Sequence, residues 1–394
     1  MKIYLVGGAV RDEQLGLPIK ERDWCVVGSS AKELTAKGFK SVGKNFPIFL
    51  HPDTKEEYAL ARTEQKIHPG YHGFEFNTSK KITLEEDLKR RDLTINAIAK
   101  DEYGLIIDPY NGLLDIKNRI LKHVSEAFNE DPVRVLRTAK FAARYHQYGF
   151  KVAINTMHYM ESMVKNNEID VLAPDRVWKE TEEVLNSPDP HIYFQVLKEC
   201  NAFSRIYPEF IKTGENSNTK KNQQVSLLNL DALKLSIEIT SHAEVHFAVM
   251  LFTDHGLCDL NYTQEKHHNF IQDITKRLPI PNIFSQLVEL IIYYKDYKNL
   301  RHISAEKILS FLSKADAFRR QERFKKLLVA FEIIEKNDGS SQQDQEIKNT
   351  LINKIIESCN ALSIKEIVGK ESNGEEIKKL IHQSKIEIIK KIPK

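Results

Sequence analysis

The sequence predicts an α+β protein in which a small head with a mixed β-sheet and helices precedes an all-helical remainder. Three observations carry this. Short β-rich runs, Trp24–Val27, Ile48–Leu50, Glu57–Ala61 and Leu105–Asp108, alternate with helical stretches and Gly/Pro turns up to about residue 125. Beyond that point apolar residues recur at helical spacing almost throughout. The length of 394 residues also exceeds what one compact core organises, so several domains are expected.

The head opens with the apolar strand Ile3-Tyr4-Leu5-Val6, a Gly7-Gly8 turn and a basic helix start at Arg11. The helical part contains amphipathic segments at 131–147, 155–166, 175–186, 190–201, 286–298, 304–313 and 316–336. The polar stretch from Thr213 to Gln224 reads as a linker, and Asn337 to Gln345 as an exposed loop between helices. The breaks divide the chain into an expected head at 1–125, a neck at 126–212, and a body and tail at 213–394. No fixed-period repeat is evident.

A charged fraction of 29% and a hydrophobic fraction of 41% suit a soluble globular protein, and a net charge of only +3 makes any nucleic-acid surface local. Cys25, Cys200, Cys258 and Cys359 share no metal-ligand spacing and suggest a reducing compartment. The start runs directly into an expected core strand, so no signal peptide is expected, and no apolar run approaches the roughly 20 residues that span a bilayer. The expected location is cytoplasmic.

Glu21-Arg22-Asp23, if extended, projects Glu21 and Asp23 from one face, where their oxygens can hold a divalent metal. The Gly7-Gly8 turn lets backbone N–H groups approach a phosphate, with Arg11 one helical turn on. Each half alone is also an ordinary turn or a pair of surface charges; together they describe a metal–triphosphate site. Lys89-Arg90-Arg91-Asp92 opens an amphipathic stretch running to Ala97. There arginine can fork to phosphate or ribose, and Asp92 can accept a sugar hydroxyl or orient an arginine. In Glu130-Asp131-Pro132-Val133-Arg134-Val135-Leu136-Arg137 the Asp and Pro fit a helix N-terminus, placing Asp131, Arg134 and Arg137 along one side. An Asp acceptor beside Arg donors can read a base edge; it is equally an N-cap with an ion pair.

The order of these motifs resembles the bacterial class II CCA-adding enzymes, tRNA nucleotidyltransferases of the polymerase-β superfamily. GGAVRD at 7–12, ERDW at 21–24, VGKNFPIFLH at 42–51, EEYALARTE at 56–64, DLKRRDLTINAIAKD at 87–101, IIDPYNGLLD at 106–115, EDPVRVLRTAKFAARY at 130–145 and APDRVWKET at 173–181 carry it. The resemblance covers about the first 210 residues and fades beyond the expected linker. It implies a polymerase-β-like head followed by helical neck, body and tail. It also implies addition of CCA to the 3′ end of tRNA from CTP and ATP, with diphosphate released. By this resemblance Gly8 and Arg11 contact the triphosphate, Glu21 and Asp23 bind Mg²⁺, and Arg91 holds ribose or phosphate. Asp131 and Arg134 select CTP and then ATP, while Arg137 and Lys140 complete the nucleotide pocket. Glu57 is the candidate third catalytic carboxylate, and Arg176 and Glu180 support the selecting residues. Two metal ions activate the tRNA hydroxyl and stabilise the leaving diphosphate. The segment Ile67 to Lys81, with Gly70-Tyr71-His72-Gly73, is the expected mobile element.

Three departures stand out. Glu21 occupies a position where many members have Asp, and Lys140 one where Arg is expected. The third lies in the C-terminal half, where related chains often carry a metal-dependent phosphohydrolase built on a His…His-Asp…Asp pattern. Here the order is Thr253-Asp254-His255, and His242, His246, His267 and His268 do not rebuild the spacing, so a helical remnant without hydrolase activity is expected. Basic helices such as Arg319–Lys326 suit phosphate contacts with tRNA. A poly(A) polymerase shares the head, but Gly43-Lys44-Asn45-Phe46 and the mixed-charge tail from Lys365 to Lys394 argue against it. A-only and CC-only tRNA nucleotidyltransferases wear similar motifs, and a non-catalytic RNA-binding module is disfavoured by the intact motifs. The sequence leaves the oligomeric state unassigned.

Overall fold

The computed structural model describes residues 1–42, 48–66, 74–215, 222–226, 228–252, 264–363 and 374–393. They form two compact units, Met1–Pro208 and Glu209–Lys394. The 67–73 part of the expected mobile element, Gly43 to Phe46 and Thr253 to His255 lie outside the described residues.

In the first unit β1 (Lys2–Val6) leads through Gly7 into α1 (Gly8–Gln14) and returns as β2 (Asp23–Val27), antiparallel to β1 with Tyr4 opposite Cys25 and Val6 opposite Asp23. Then come α2 (Ala31–Ala36), β3 (Lys40–Val42), β4 (Ile48–Leu50), β5 (Glu57–Leu60), the paired β6 (Thr63–Lys66) and β7 (Phe74–Asn77), α3 (Leu84–Lys89), β8 (Ala99–Lys100) and β9 (Ile106–Ile107). The seven-stranded sheet has the order β3-β4-β5-β2-β1-β8-β9. Its sequential pairs are antiparallel, whereas β2 and β5 run parallel with Asp23 beside Glu57 and Cys25 beside Ala59. The period of two places Asp23 and Cys25 on one face of β2 and Trp24 and Val26 on the other. One face packs Val6, Cys25, Leu84, Leu88, Ala97 and Ala99; the opposite face packs Val26, Leu34, Phe49, Tyr58 and Leu60, with Trp24 against them. Full burial of each larger aliphatic or Phe side chain is worth about 1.5–3 kcal/mol. Asp23 and Glu57 therefore extend a buried face to its open end.

The chain continues through α4 (Gly112–Asn118), β10 (Ile120–Leu121), α5 (Val133–Tyr145), β11 (Lys151–Val152), α6 (Ile154–Lys165), α7 (Pro174–Leu185), α8 (Pro190–Glu199) and α9 (Phe203–Ile206). Val135, Leu136, Ala139, Ala142 and Ala143 give α5 an apolar face, which packs on α7 and α8.

The second unit holds β12 (Ile211–Glu215), β13 (Asn222–Ser226), α10 (Leu230–Ile239), α11 (Ala243–Met250), α12 (Gln264–Arg277), α13 (Asn282–Ile291), α14 (Tyr294–Lys298), α15 (Ala305–Lys314), α16 (Gln321–Asn337), α17 (Gln342–Asn360) and α18 (Gly374–Lys391).

Several expectations are corrected. The expected linker at 213–224 contributes to an antiparallel pair, with Thr213 opposite Gln224, because a ladder of backbone groups needs no apolar side chains. The mostly helical part after residue 125 thus also holds β11, β12 and β13, of which β11 pairs in parallel with β10 from before that point. Segment 286–298 breaks between α13 and α14, where Tyr293 N–H bonds the carbonyl of Leu290. Residues 316–320 form a turn on the carbonyl of Asp316, whose φ is +54°, so α16 starts at Gln321. The expected loop to Gln345 ends earlier because Ser341 caps α17, its side chain accepting from Asp344 N–H. Finally, Arg90 and Arg91 do not open a helix; Arg90 terminates α3, and only a 3-10 turn, Thr94–Asn96, follows.

Candidate active site

The open end of the sheet holds a cavity of about 210 Å³ lined by Asp23, Glu57, Arg62, Asp87, Arg90 and Arg91 together with Cys25 and neighbouring strand residues. Asp23 is open to solvent at the strand's end, yet the protein packed around its carboxyl lifts it above its ordinary value by desolvation; Arg91 opposes the rise and the charge of Glu21 adds to it. Glu21 itself is exposed and precedes β2 rather than lying within it, so its placement beside Asp23 comes from the chain entering the strand. Burial also pushes the Cys25 thiol up to about 12, so this cysteine is an inert wall.

The turn behind the cavity requires glycine. Gly7 has φ +70°, and a Cβ there would stand 2.7 Å from Arg91 Nη1. Gly8 begins α1, and Arg11 Nη2 lies 3.5 Å from where its Cβ would be. Arg11 is only 3% exposed. Its Nε donates to Asp12 Oδ1 at 2.9 Å and its Nη1 to Asn96 Oδ1 at 2.5 Å, while the guanidinium lies over Phe141 and Tyr145 of α5. The cation backs the glycine turn from inside the fold.

Asp87 organises the cationic wall. It is 1% exposed and accepts from Arg62 N–H at 3.2 Å, from Arg90 Nε and Nη2 at 3.2 and 2.8 Å, and from Arg91 Nη2 at 3.4 Å. Burial acts to raise its carboxyl, yet Arg90 and Arg91 hold it below its ordinary value. Sequence reasoning missed Asp87, although its position three and four residues before Arg90 and Arg91 in a helix was the available signal.

The start of α5 differs from a single exposed side of acceptor and donors. Asp131 Oδ1 accepts from Val133 N–H at 3.0 Å. Arg134, buried, donates from Nη1 to the carbonyl of Ala127 at 2.5 Å and from Nη2 to the carbonyl of Arg90 at 2.6 Å. Arg137 Nε donates to Asp92 Oδ2 at 2.8 Å, and this pairing carries the Asp92 carboxyl well below and the Arg137 guanidinium well above its ordinary range, against the burial of both. Of the two roles open to Asp92, orienting an arginine is the one seen. Lys140 is held by Glu180 at 2.5 Å and Glu183 at 2.6 Å, both on α7. The structure thus gathers Asp23, Glu57 and Arg91 at one cavity, and joins Arg134 to it through Arg90. It turns the Lys140 ammonium toward the carboxylates of Glu180 and Glu183 on α7.

Residues 3–122 match the family model described as Poly A polymerase head domain, and residues 149–212 match that of a probable RNA and SrmB-binding site of polymerase A. A CCA-adding enzyme of Coxiella burnetii is 41% identical over 391 residues, covering 99% of this chain and 95% of that protein. The chain belongs to the CCA-adding enzymes. A Multifunctional CCA protein of Legionella pneumophila is 40% identical over 404 residues, covering 100% of this chain and 98% of the relative. The Bacillus stearothermophilus CCA-adding enzyme in complex with CTP has the same fold, with a TM-score of 0.65 at 22% identity over 98% of this chain and 88% of that one. Membership makes the chain a nucleotidyltransferase, and the poly(A) polymerase reading is not favoured, since relatives along the full length are CCA enzymes.

Proposed function

We propose that this protein adds CCA to the 3′ end of tRNA, using CTP and ATP as substrates and releasing diphosphate. The observation that carries the reading is that Asp23, Arg91 and Arg134 meet at one sheet end, the last through the Arg90 carbonyl. An acidic end for the reacting phosphate, a glycine turn with arginine for the triphosphate, and a helix with base-edge chemistry thereby serve one nucleotide.

Gly8 and Arg11 take the triphosphate, Arg11 as a fixed charge beneath the turn, and Arg91 takes ribose or phosphate. The rest of the Arg134 fork and Asp131 read the base edge, with the Asp92–Arg137 and Glu180–Lys140 pairs holding α5 in place. The carboxylate oxygens of Glu21 and Asp23 fit Mg²⁺, a hard cation that takes one or two protein carboxylates and completes its shell with substrate phosphates and water. Asp23's raised carboxyl marks a negative charge that the protein alone leaves undercompensated. Glu57, beside Asp23 in register, is the third carboxylate. When bound, Mg²⁺ supplies charge neutralisation at the phosphate and lowers the cost of the attacking hydroxyl losing its proton.

The C-terminal half lacks phosphohydrolase activity in this reading. Support comes from the order Thr253-Asp254-His255 and from His246, which is buried against Ser236 Oγ at 2.8 Å with its imidazole pushed down to about 4 by burial. Three buried free thiols, Cys25, Cys200 and Cys359, support a cytoplasmic location. Among the described residues no helix is long and apolar enough to cross a membrane.

Incubating tRNA that lacks its 3′ terminus with labelled CTP and ATP, and sequencing the product, tests the assignment. CCA supports it, a long A-tract indicates poly(A) polymerase, A or CC alone indicates a partial enzyme, and no addition refutes it.

A further inference from the structure

Arg11, Arg91 and Arg137 belong to different parts of the chain, yet the first two bond one buried residue, Asn96, and the third reaches it through Asp92. Arg11 Nη1 donates to Asn96 Oδ1 at 2.5 Å, and Asn96 Nδ2 donates to Asp92 Oδ1 at 3.0 Å. The second oxygen of Asp92 accepts from Arg137 Nε at 2.8 Å. Arg91 Nη1 donates to the backbone carbonyl of Asn96 at 3.3 Å. The 3-10 turn that presents Asn96 is itself fixed, since Thr94 Oγ1 donates to Asp115 at 2.7 Å and Thr94 N–H to the carbonyl of Lys122 at 2.8 Å.

The amide suits this place chemically. A guanidinium on one side needs an acceptor and a carboxylate on the other needs a donor, and a primary amide supplies both on one neutral plane. Those partners also fix which end is oxygen and which nitrogen. An apolar side chain would strip Arg11 and Asp92 of a partner in a site only 6% exposed, and a carboxylate would face Asp92 with like charge.

We propose that Asn96 is a positioning residue for nucleotide binding. Its side chain sets the triphosphate-side Arg11 and, through Asp92, the base-side Arg137 in one register beside Arg91, which the backbone of the same turn holds, so that they act on the same nucleotide. The inference rests on the nucleotide roles proposed above for these arginines.

Asn96→Asp tests it. The new carboxyl keeps an acceptor for Arg11, which reaches it from α1 with Asp12 behind. It opposes Asp92, and it shares its surroundings with Arg91 from the segment after α3 and with Arg137 from α5 through Asp92. Steady-state addition of CTP and ATP to tRNA lacking CCA is measured for both proteins. The nucleotide KM of the variant is expected at least about tenfold above wild type, with tRNA KM within about twofold. An unchanged nucleotide KM, or nucleotide and tRNA KM values raised alike, overturns the proposal. Should Asn96→Asp fail to fold, Asn96→Ser shortens the side chain without adding charge; its nucleotide KM is expected to rise, and an unchanged value overturns the proposal equally. If the wild-type protein adds no nucleotide at all, the proposed function fails, and ATP affinity of the same variants measured by calorimetry decides the role of Asn96 separately.

Discussion

The Arg134 guanidinium donates at 2.6 Å to the backbone carbonyl of Arg90, so the helix that carries the base-selecting candidates is bonded to the segment that carries the phosphate-binding one. A second donation, 2.5 Å to the carbonyl of Ala127, closes a fork on two fixed acceptors. Only a planar guanidinium reaches both in one geometry; an ammonium is a point charge on a flexible stem.

Arg134→Ala is therefore expected to lower unfolding free energy by about 2–4 kcal/mol, because two part-buried carbonyls lose charged donors. Arg134→Lys should recover only part of that stability and none of the nucleotide selectivity. Chemical denaturation combined with sequencing of the added nucleotides checks both. Full rescue by lysine would show that charge rather than fork geometry is what the site uses.

Asp23 separates activity from stability. Its folded carboxyl lies above the ordinary value of 3.8, so its stabilising contribution is present below that value and is lost as pH rises through the raised one. Asp23→Asn should bring nucleotide addition to background and leave tRNA binding intact. Without divalent metal the variant should also melt at a higher temperature than wild type at pH 7, with the difference shrinking toward about pH 4. A variant that melts lower at pH 7 would mean that the charge is already compensated by the protein.

How much of this was legible in the sequence follows from what each element depends on. The expected strands Ile3–Val6 and Trp24–Val27 and the Gly7-Gly8 turn are local patterns, and the observed strands Lys2–Val6 and Asp23–Val27 each begin one residue earlier. Asp131 and Arg134 were visible as residue types, but the partners of Arg134 are backbone carbonyls at 90 and 127, and any residue type supplies a carbonyl. The hairpin around 213–224 was hidden for a related reason, as its pairing is between backbone groups of polar residues. Asp87 carried a signal, its helical spacing to Arg90 and Arg91, which a search for motifs around the arginines alone does not weigh. Parallel pairing of β2 with β5, which brings Glu57 beside Asp23, is long-range and has no local signature.

Gly7 should tolerate no side chain. At φ +70° with a Cβ site 2.7 Å from Arg91 Nη1, Gly7→Ala strains the turn and displaces the arginine together. Left-handed strain of about 1–2 kcal/mol lowers stability, while displacement of Arg91 is expected to raise nucleotide KM about tenfold, the equivalent of about 1.4 kcal/mol of lost binding. The KM for tRNA should stay unchanged. Gly8→Ala meets only an ordinary contact with Arg11 and should be milder, and a ranking of the two in the opposite order would displace Arg91 from the nucleotide site.

Asp87 is the acid-sensitive joint of the site. Its folded carboxyl lies below 3.8, so its contribution is complete above that value and is lost as pH falls through the depressed one. Removing it leaves Arg90 and Arg91 without their shared carboxylate, and loss of one partner from a buried pair costs about 3–5 kcal/mol. Asp87→Asn keeps an acceptor for Arg62 N–H but not the charge, so it should be destabilised by about 3 kcal/mol at pH 7, with the difference from wild type beginning to shrink below about pH 4. Asp92, depressed by Arg137, contributes to the same acid limb, so the limb should be reduced in this variant rather than abolished. Because Arg91 loses its anionic anchor and keeps only the Asn96 carbonyl, nucleotide KM should rise along with the loss of stability. Urea titrations at several pH values, set beside steady-state kinetics, check the two effects together. A stability difference that is the same at pH 3 as at pH 7 would place the role of Asp87 in packing instead of charge.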